Sequence, residues 1–301
     1  MSLLALDIGA TKIAIALVDD QLAIHHRTSI PSQSEGDLWQ SLTLALQDFL
    51  RSHNSGNEIT AVGIASAGPI SVERGEISPV NILQWRKFPL VSKISQLVPK
   101  ATVSLIGDCT ALALAEHTIG AGVGTKNMLG VVVSTGIGGG LILNGQVHTG
   151  QSGNAGLIGH HVIDASSDRR CVCGRIGCLE EFARGPKMVE TAKHNGWNAG
   201  DDFQALAESA RSGDPIAISA IDHGASALAI GIVNAMMIAD IHTVVIGGGV
   251  SFAGEIYWQP LRKHLADQAA HAGFLDDLVA VPAQLGADSG LLGAAIFARN
   301  Y

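Results

Sequence analysis

Charge is scarce in this 301-residue sequence: Asp, Glu, Lys and Arg make up 15% of it, and 27 acidic against 19 basic residues leave a formal net charge of −8. No basic block occurs anywhere, so the Lys and Arg clusters through which nucleic acids and anionic membrane surfaces are bound are missing. Long apolar runs are missing too. The longest weakly polar stretch, Ala225 to Ala239, is short for a bilayer span and is interrupted by Asn234, so it reads as a buried helix. Met1 leads almost directly into an apolar strand, with no positively charged leader or cleavage site, which predicts a cytoplasmic protein with reduced thiols. Cysteine is rare as well, at four residues. What remains is a chain long enough to bury a substantial core, as two domains or one large one.

Three of the four cysteines fall close together. Cys171 and Cys173 are separated by one residue, Cys178 follows shortly, and His160 and His161 lie upstream. Three soft thiolates and one imidazole are the donor set of a closed tetrahedral zinc site, with either histidine as the fourth ligand. Gly174 and Gly177 let the chain turn tightly enough for the sulfurs to converge. A disulfide fits poorly, because one residue between the first two cysteines is too short a spacer and no secretory signal accompanies them.

The chain opens as strand, glycine turn, strand: Leu3 to Leu6, Asp7-Ile8-Gly9-Ala10-Thr11-Lys12, then Ile13 to Val18. An Asp at a strand end beside small residues suits a hydrated Mg²⁺ next to phosphates, and equally suits an ordinary hairpin. A similar pattern returns at Met128 to Val133, Ser134 to Gly140 and Leu141 to Leu143. Aligning Asp7-Ile8-Gly9 with Ser134-Thr135-Gly136 places the two units 127 residues apart and predicts an internal duplication, each half opening with a β-ribbon. The glycines of the second turn leave backbone N–H groups free to cradle phosphate.

Between the ribbons, Leu38, Leu42, Ala45, Leu46 and Phe49 have the spacing of a packing helix over Asp37 to Arg51. Ala61 to Ala65 and Thr102 to Ile106 are buried strands that end in Ser66-Ala67-Gly68-Pro69 and Gly107-Asp108. Such polar ends lie at the carboxyl edge of an α/β sheet, where ligands bind. A strand-end carboxylate such as Asp108 is rigidly placed for a catalytic base, although position alone favours a helix N-cap. Asn81, in a loop, suits a hydroxyl contact or an Asx turn. Further on, helices are expected near Pro186 to His194, Phe203 to Arg211 and Asp214 to Ala239, then a strand ending in Gly247-Gly248-Gly249 and a last helix from Asp288 to Arg299.

The sequence resembles the ROK family of bacterial sugar kinases and repressors over nearly its whole length. Four stretches carry the resemblance: DIGATK (Asp7 to Lys12), VSTGIGGG (Val133 to Gly140), GNAGLIGH (Gly153 to His160) and CVCGRIGCLEE (Cys171 to Glu181). It implies an α/β chain of the actin-like, ribonuclease H-like fold, with one domain of residues 1–117 plus 286–301 and a larger one of 118–285 carrying the zinc loop. It further implies phosphorylation of a hexose or N-acylhexosamine by ATP, with Asp108 as catalytic base and Gly68, Asn81, Asp108, His160 and Glu180 at the sugar. Asp7, Gly9, Thr11, Lys12, Thr135, Gly136 and Gly248 are assigned to ATP and its Mg²⁺, and His160, Cys171, Cys173 and Cys178 to a structural Zn²⁺. His161 becomes the second choice as ligand. A homodimer is implied as well.

Two positions depart from the family pattern, both on the sugar side. The Asn that usually precedes the catalytic Asp is Gly107, and the sugar-binding Glu three residues before the zinc His is Leu157. Loss of that Glu resembles the N-acetylmannosamine kinase branch, and an apolar Leu157 suits the methyl of an N-acetyl group. Glucokinase or another hexokinase activity is the alternative. A regulator is the alternative of another class, but ROK repressors carry a helix-turn-helix domain before this motif, and here six residues precede Asp7. A sugar sensor without catalysis is the third reading, against which the retained Asp108 speaks.

Overall fold

The computed structural model describes residues 2–33, 36–53 and 59–300; Met1, on which the reading of the chain start rests, lies outside them. Strands β1 (Ser2–Ile8), β2 (Lys12–Asp19) and β3 (Ile24–Pro31) are followed by α1 (Leu38–His53), β4 (Ile59–Ser66) and a small hairpin of β5 (Ile70–Ser71) and β6 (Glu76–Ile77). Then come α2 (Leu90–Leu97), β7 (Thr102–Gly107) and α3 (Asp108–Ile119). The second ribbon is β8 (Met128–Val133), β9 (Ile137–Leu143) and β10 (Gln146–His148). After a long loop follow α4 (Glu180–Ala183), α5 (Gly185–His194), α6 (Phe203–Arg211), α7 (Pro215–Ala239), β11 (Thr243–Gly247), α8 (Glu255–Ala272), β12 (Val279–Pro282) and α9 (Ser289–Asn300).

These strands build two five-stranded sheets of one topology, β3-β2-β1-β4-β7 and β10-β9-β8-β11-β12. In each, an antiparallel pair (β1 with β2, β8 with β9) is joined to two parallel strands (β4 and β7, β11 and β12). Parallel neighbours need crossovers. α2 lies between β4 and β7, and α8 between β11 and β12. The chain forms two compact units. One takes the described residues of Met1–Gly120, Val147–Ala155 and Ala287–Tyr301; the other takes Ala121–Gln146 and Gly156–Gly286. The short return of Val147–Ala155 to the first unit is a feature that the sequence division at 118 and 285 does not contain.

In the first unit, Leu4, Leu6 and Ile8 alternate along β1 into one core with Leu38, Leu42, Leu46 and Phe49 of α1. Truncating any of these to Ala would cost about 2–5 kcal/mol. α9 packs against the sheet and α3 at backbone distance. A Cβ on Gly63 would stand 1.9 Å from Ala294 O, and one on Gly293 would stand 2.0 Å from Ala111 O. The Ala and Gly content of the last helix thus has a packing reason. In the second unit α7 is the central helix, and Ala225, Leu228, Ala229 and Ile232 are buried in its core. By length and composition alone α7 could cross a membrane, but it fills the interior of this unit.

Candidate active site

Asp7 lies near the end of β1, paired with Ala14 on one side and Ala65 on the other. Its carboxylate rests on the first turn of α9, where a Cβ on Gly290 would lie 2.4 Å from Oδ2. Burial first, and then the charge of Asp108, push the Asp7 carboxyl up to about 7, while Lys12 opposes the shift. The turn after it is closed by a hydrogen bond from Gly9 N–H to Lys12 O (3.0 Å). Ser32 braces it, donating from Oγ to Gly9 O (2.8 Å) and from its N–H to Thr11 O (3.0 Å). Thr11 and Lys12 are exposed at the tip.

Asp108 is the first residue of α3, not its N-cap; the cap is Gly107, which has no side chain to accept from the helix. The strand continues one residue further than its apolar run, and this moves the helix start. With no capping to do, the Asp108 carboxylate takes local hydrogen bonds, among them one from Cys109 N–H (2.7 Å). Burial lifts its pKa above the ordinary carboxylate range. Gly107 has φ −67° and ψ 144°, open to any residue, and a Cβ there would make only ordinary contact with Thr110 Oγ1 (3.4 Å) and Gly153 O (3.8 Å). The backbone does not require this glycine.

Gly68 lies between β4 and β5, where a Cβ would be 3.7 Å from Asn154 Oδ1. Asn154 makes two hydrogen bonds to the main chain: Oδ1 accepts from Ile70 N–H (2.9 Å) and Nδ2 donates to Ile70 O (2.7 Å). The sequence reading does not single out this residue. Its signal is an amide inside a glycine-rich stretch, Gly153 to Gly156. Asn81 sits in an exposed turn between β6 and α2.

In the second unit, His160, Cys171, Cys173 and Cys178 bring their donor atoms within 4.8 Å of one another. Cys171 Sγ is 3.4 Å from His160 Nδ1, and Cys173 Sγ is 3.6 Å from Cys178 Sγ. His161 is outside this group; its carbonyl accepts from Leu179 N–H (2.8 Å). Gly177 has φ +74°, and a Cβ on it would fall 1.8 Å from Asp164 O, so only glycine fits the turn that returns Cys178. Burial and the neighbouring sulfurs push the Cys178 thiol up to about 12.

The β8–β9 turn carries Thr135 and Gly136. Ser134 N–H closes it onto Gly136 O (2.9 Å), and Gly185 N–H donates to Ser134 O (3.0 Å). Arg184 Nη1 donates to Thr135 O (3.3 Å), and Glu180 Oε2 accepts from Ile137 N–H (2.8 Å). Gly248, at φ +91°, abuts the same strand end, where a Cβ would stand 2.4 Å from Val133 O. The duplication is real: both units wind the same strand order, and in each the first strand of the ribbon turns into the second through a glycine-bearing loop. Asp7 lies inside its ladder, and Ser134 directly follows the last residue of β8. Arg184 and Ser32 also escape a reading by motif.

The ROK family profile matches residues 3–301. An N-acetylmannosamine kinase of Escherichia fergusonii is 36% identical over 100% of this chain and 99% of its own. A glucokinase of Halalkalibacterium halodurans is 31% identical over 95% of this chain and 92% of its own. The solved structure of a ROK family glucokinase from Streptomyces griseus in complex with glucose and AMPPNP is similar at a TM-score of 0.81 and 29% identity, covering 100% of both chains. The duplicated sheets are those of the actin-like ATPase fold. From a match along almost every residue, and from the two glycine turns, the strand-end carboxylates and the Cys/His cluster that the fold assembles, it follows that this chain belongs to the ROK family.

Proposed function

We propose that this ROK-family sugar kinase transfers the γ-phosphoryl group of ATP to the 6-hydroxyl of N-acetylmannosamine, with Asp108 as general base. The observation that carries the substrate choice is Leu157. It is 39% exposed and directly precedes the 3₁₀ turn Ile158–His160, at the position where the family has a sugar-binding Glu. A carboxylate there accepts from sugar hydroxyls; an exposed Leu instead offers apolar contact to an acetyl methyl. The relatives named N-acetylmannosamine kinase support the same choice.

Phosphoryl transfer asks the protein mainly for positioning and charge stabilisation. Asp108 takes the proton of the attacking hydroxyl, and its raised pKa makes it a better acceptor than an exposed carboxylate. Gly68, Asn81, His160 and Glu180 orient the sugar. His160 does so through Nε2, since Nδ1 faces Cys171, and Glu180 through the oxygen not held by Ile137. Gly9, Thr11 and Lys12 of the first unit, and Thr135, Gly136 and Gly248 of the second, are the nucleotide contacts of this reading.

Two ions fit the side chains present. Asp7 is a hard oxygen donor whose ionisation is held back by burial and by Asp108, a setting that a divalent cation relieves. When bound, Mg²⁺ neutralises phosphate charge. For zinc, bond lengths of about 2.3 Å to sulfur and 2.05 Å to nitrogen give tetrahedral edges of about 3.8 Å (S to S) and 3.6 Å (S to N). Two of the six donor separations, 3.6 Å and 3.4 Å, are near these edges, and all six are within 4.8 Å. His160, Cys171, Cys173 and Cys178 would hold it with no open position, so it is structural. We place the enzyme in the cytoplasm as a homodimer, to be checked by sedimentation.

The test is an ADP-release assay across N-acetylmannosamine, N-acetylglucosamine, glucose, mannose, allose and fructose. A clear preference in kcat/KM for N-acetylmannosamine is expected. The glucokinase relative makes glucose the second reading, and comparable kcat/KM values for glucose and N-acetylmannosamine would sink the first.

A further inference from the structure

We infer that Arg184 is a positioning residue for the nucleotide: it pins the Ser134–Gly136 turn so that two successive N–H groups stay open for phosphate. This rests on the kinase reading above. All three carbonyls of the turn are occupied on the protein side: Ser134 O by Gly185 N–H, Thr135 O by Arg184 Nη1 and Gly136 O by Ser134 N–H. The next donor, Ile137 N–H, is taken by Glu180. Among the described residues neither Thr135 N–H nor Gly136 N–H has a protein acceptor. Adjacent unpaired N–H groups form an anion-binding concavity. Rotating the Thr135–Gly136 peptide would turn Thr135 O towards the phosphate and remove the Gly136 N–H from it. Arg184 is the side chain that opposes this rotation.

The guanidinium is itself held. Nη2 lies 3.7 Å from Glu181 Oε1, Glu181 is buried, and its other oxygen is 3.2 Å from Lys187 Nζ. Arg184 Nε is buried without a hydrogen-bond partner. A buried unpaired donor is costly and calls for a reason. Here the side chain gives up that bond to keep its fork at the turn. A residue serving only as the extended N-cap of α5 has no need of a guanidinium.

The test compares the parent with Arg184→Met and Arg184→Lys, using calorimetric Kd values for AMPPNP and, separately, N-acetylmannosamine, with Tm measured alongside. For Arg184→Met the AMPPNP Kd should rise roughly ten- to a hundredfold, the effect of losing a charge-assisted hydrogen bond, with the sugar Kd unchanged. Arg184→Lys should fall between. Should the Met variant not fold, Glu181→Gln, which loosens the anchor, should weaken AMPPNP alone. Parent-like AMPPNP affinity in the variants, or equal losses for both ligands, would overturn the role of Arg184 and leave the kinase reading intact. A parent that bound no AMPPNP would overturn both.

Discussion

The two units wind the same sheet and open on the same strand-turn-strand, yet their turns carry opposite chemistry. In the first, the carboxylate of Asp7 precedes the turn, Lys12 follows it, and burial, with the charge of Asp108 added, pushes the Asp7 carboxyl up to about 7. In the second, no ionisable residue lies between Ser134 and Gly136, and the backbone itself is arranged, with its carbonyls tied back. Duplication fixed where each turn stands. Side chains then set them apart, leaving one turn beside two carboxylates, the donors a cation takes, and the other with oriented backbone dipoles, which suit an anion.

Asp108→Asn tests this division most severely. Removing the general base should lower kcat by roughly 10² to 10⁴-fold while AMPPNP and sugar still bind by calorimetry. An Asn variant turning over like the parent would take the chemistry away from the first unit. Stripping the metal from the second unit comes next. Chelation should lower Tm and raise the sugar KM together, because the Cys178 turn leads directly into Glu180; an unchanged KM after metal loss would show the loop to be no support for the sugar contacts.

A third change probes substrate choice. Leu157→Glu should shift the kcat/KM ratio towards glucose by roughly tenfold or more, the range a lost apolar contact and a regained acceptor supply, whereas no shift would leave the acetyl contact without basis. The smallest effect is a pH slope. Asp7 is raised from 3.8 to about 7 in the folded protein, so between these values the native state binds the extra proton. Stability in the absence of divalent cations should therefore be highest below about 4 as far as this group is concerned, and should decline as pH rises to about 7. Asp7→Asn should flatten the decline, and Mg²⁺ should oppose it; a parent and variant with parallel Tm profiles from pH 4 to 7.5 would contradict the shift.

Much of this was legible in local pattern. Alternating Leu4, Leu6 and Ile8, the spacing of Leu38, Leu42, Leu46 and Phe49, and the clustering of Cys171, Cys173 and Cys178 each express a geometry with a fixed period or a fixed donor set. The return of residues 147–155 to the first unit was not legible, because a unit is defined by contacts between distant residues and not by local pattern. Nor was the cap of α3, where an Asp after an apolar run reads as N-cap and one extra strand residue moves that duty to Gly107.

By itself the sequence determined the class of fold, the acidic character that disfavours nucleic acid, the Cys/His cluster and the carboxylate at residue 108, since these depend on composition, periodicity and short spacing. Only the tertiary structure decided how these residues are held. Asn154 locks onto Ile70, 84 residues away, and Arg184 reaches Thr135 across 49. Such contacts have no period in the sequence, because they exist only where folding has brought two distant backbones within hydrogen-bond reach.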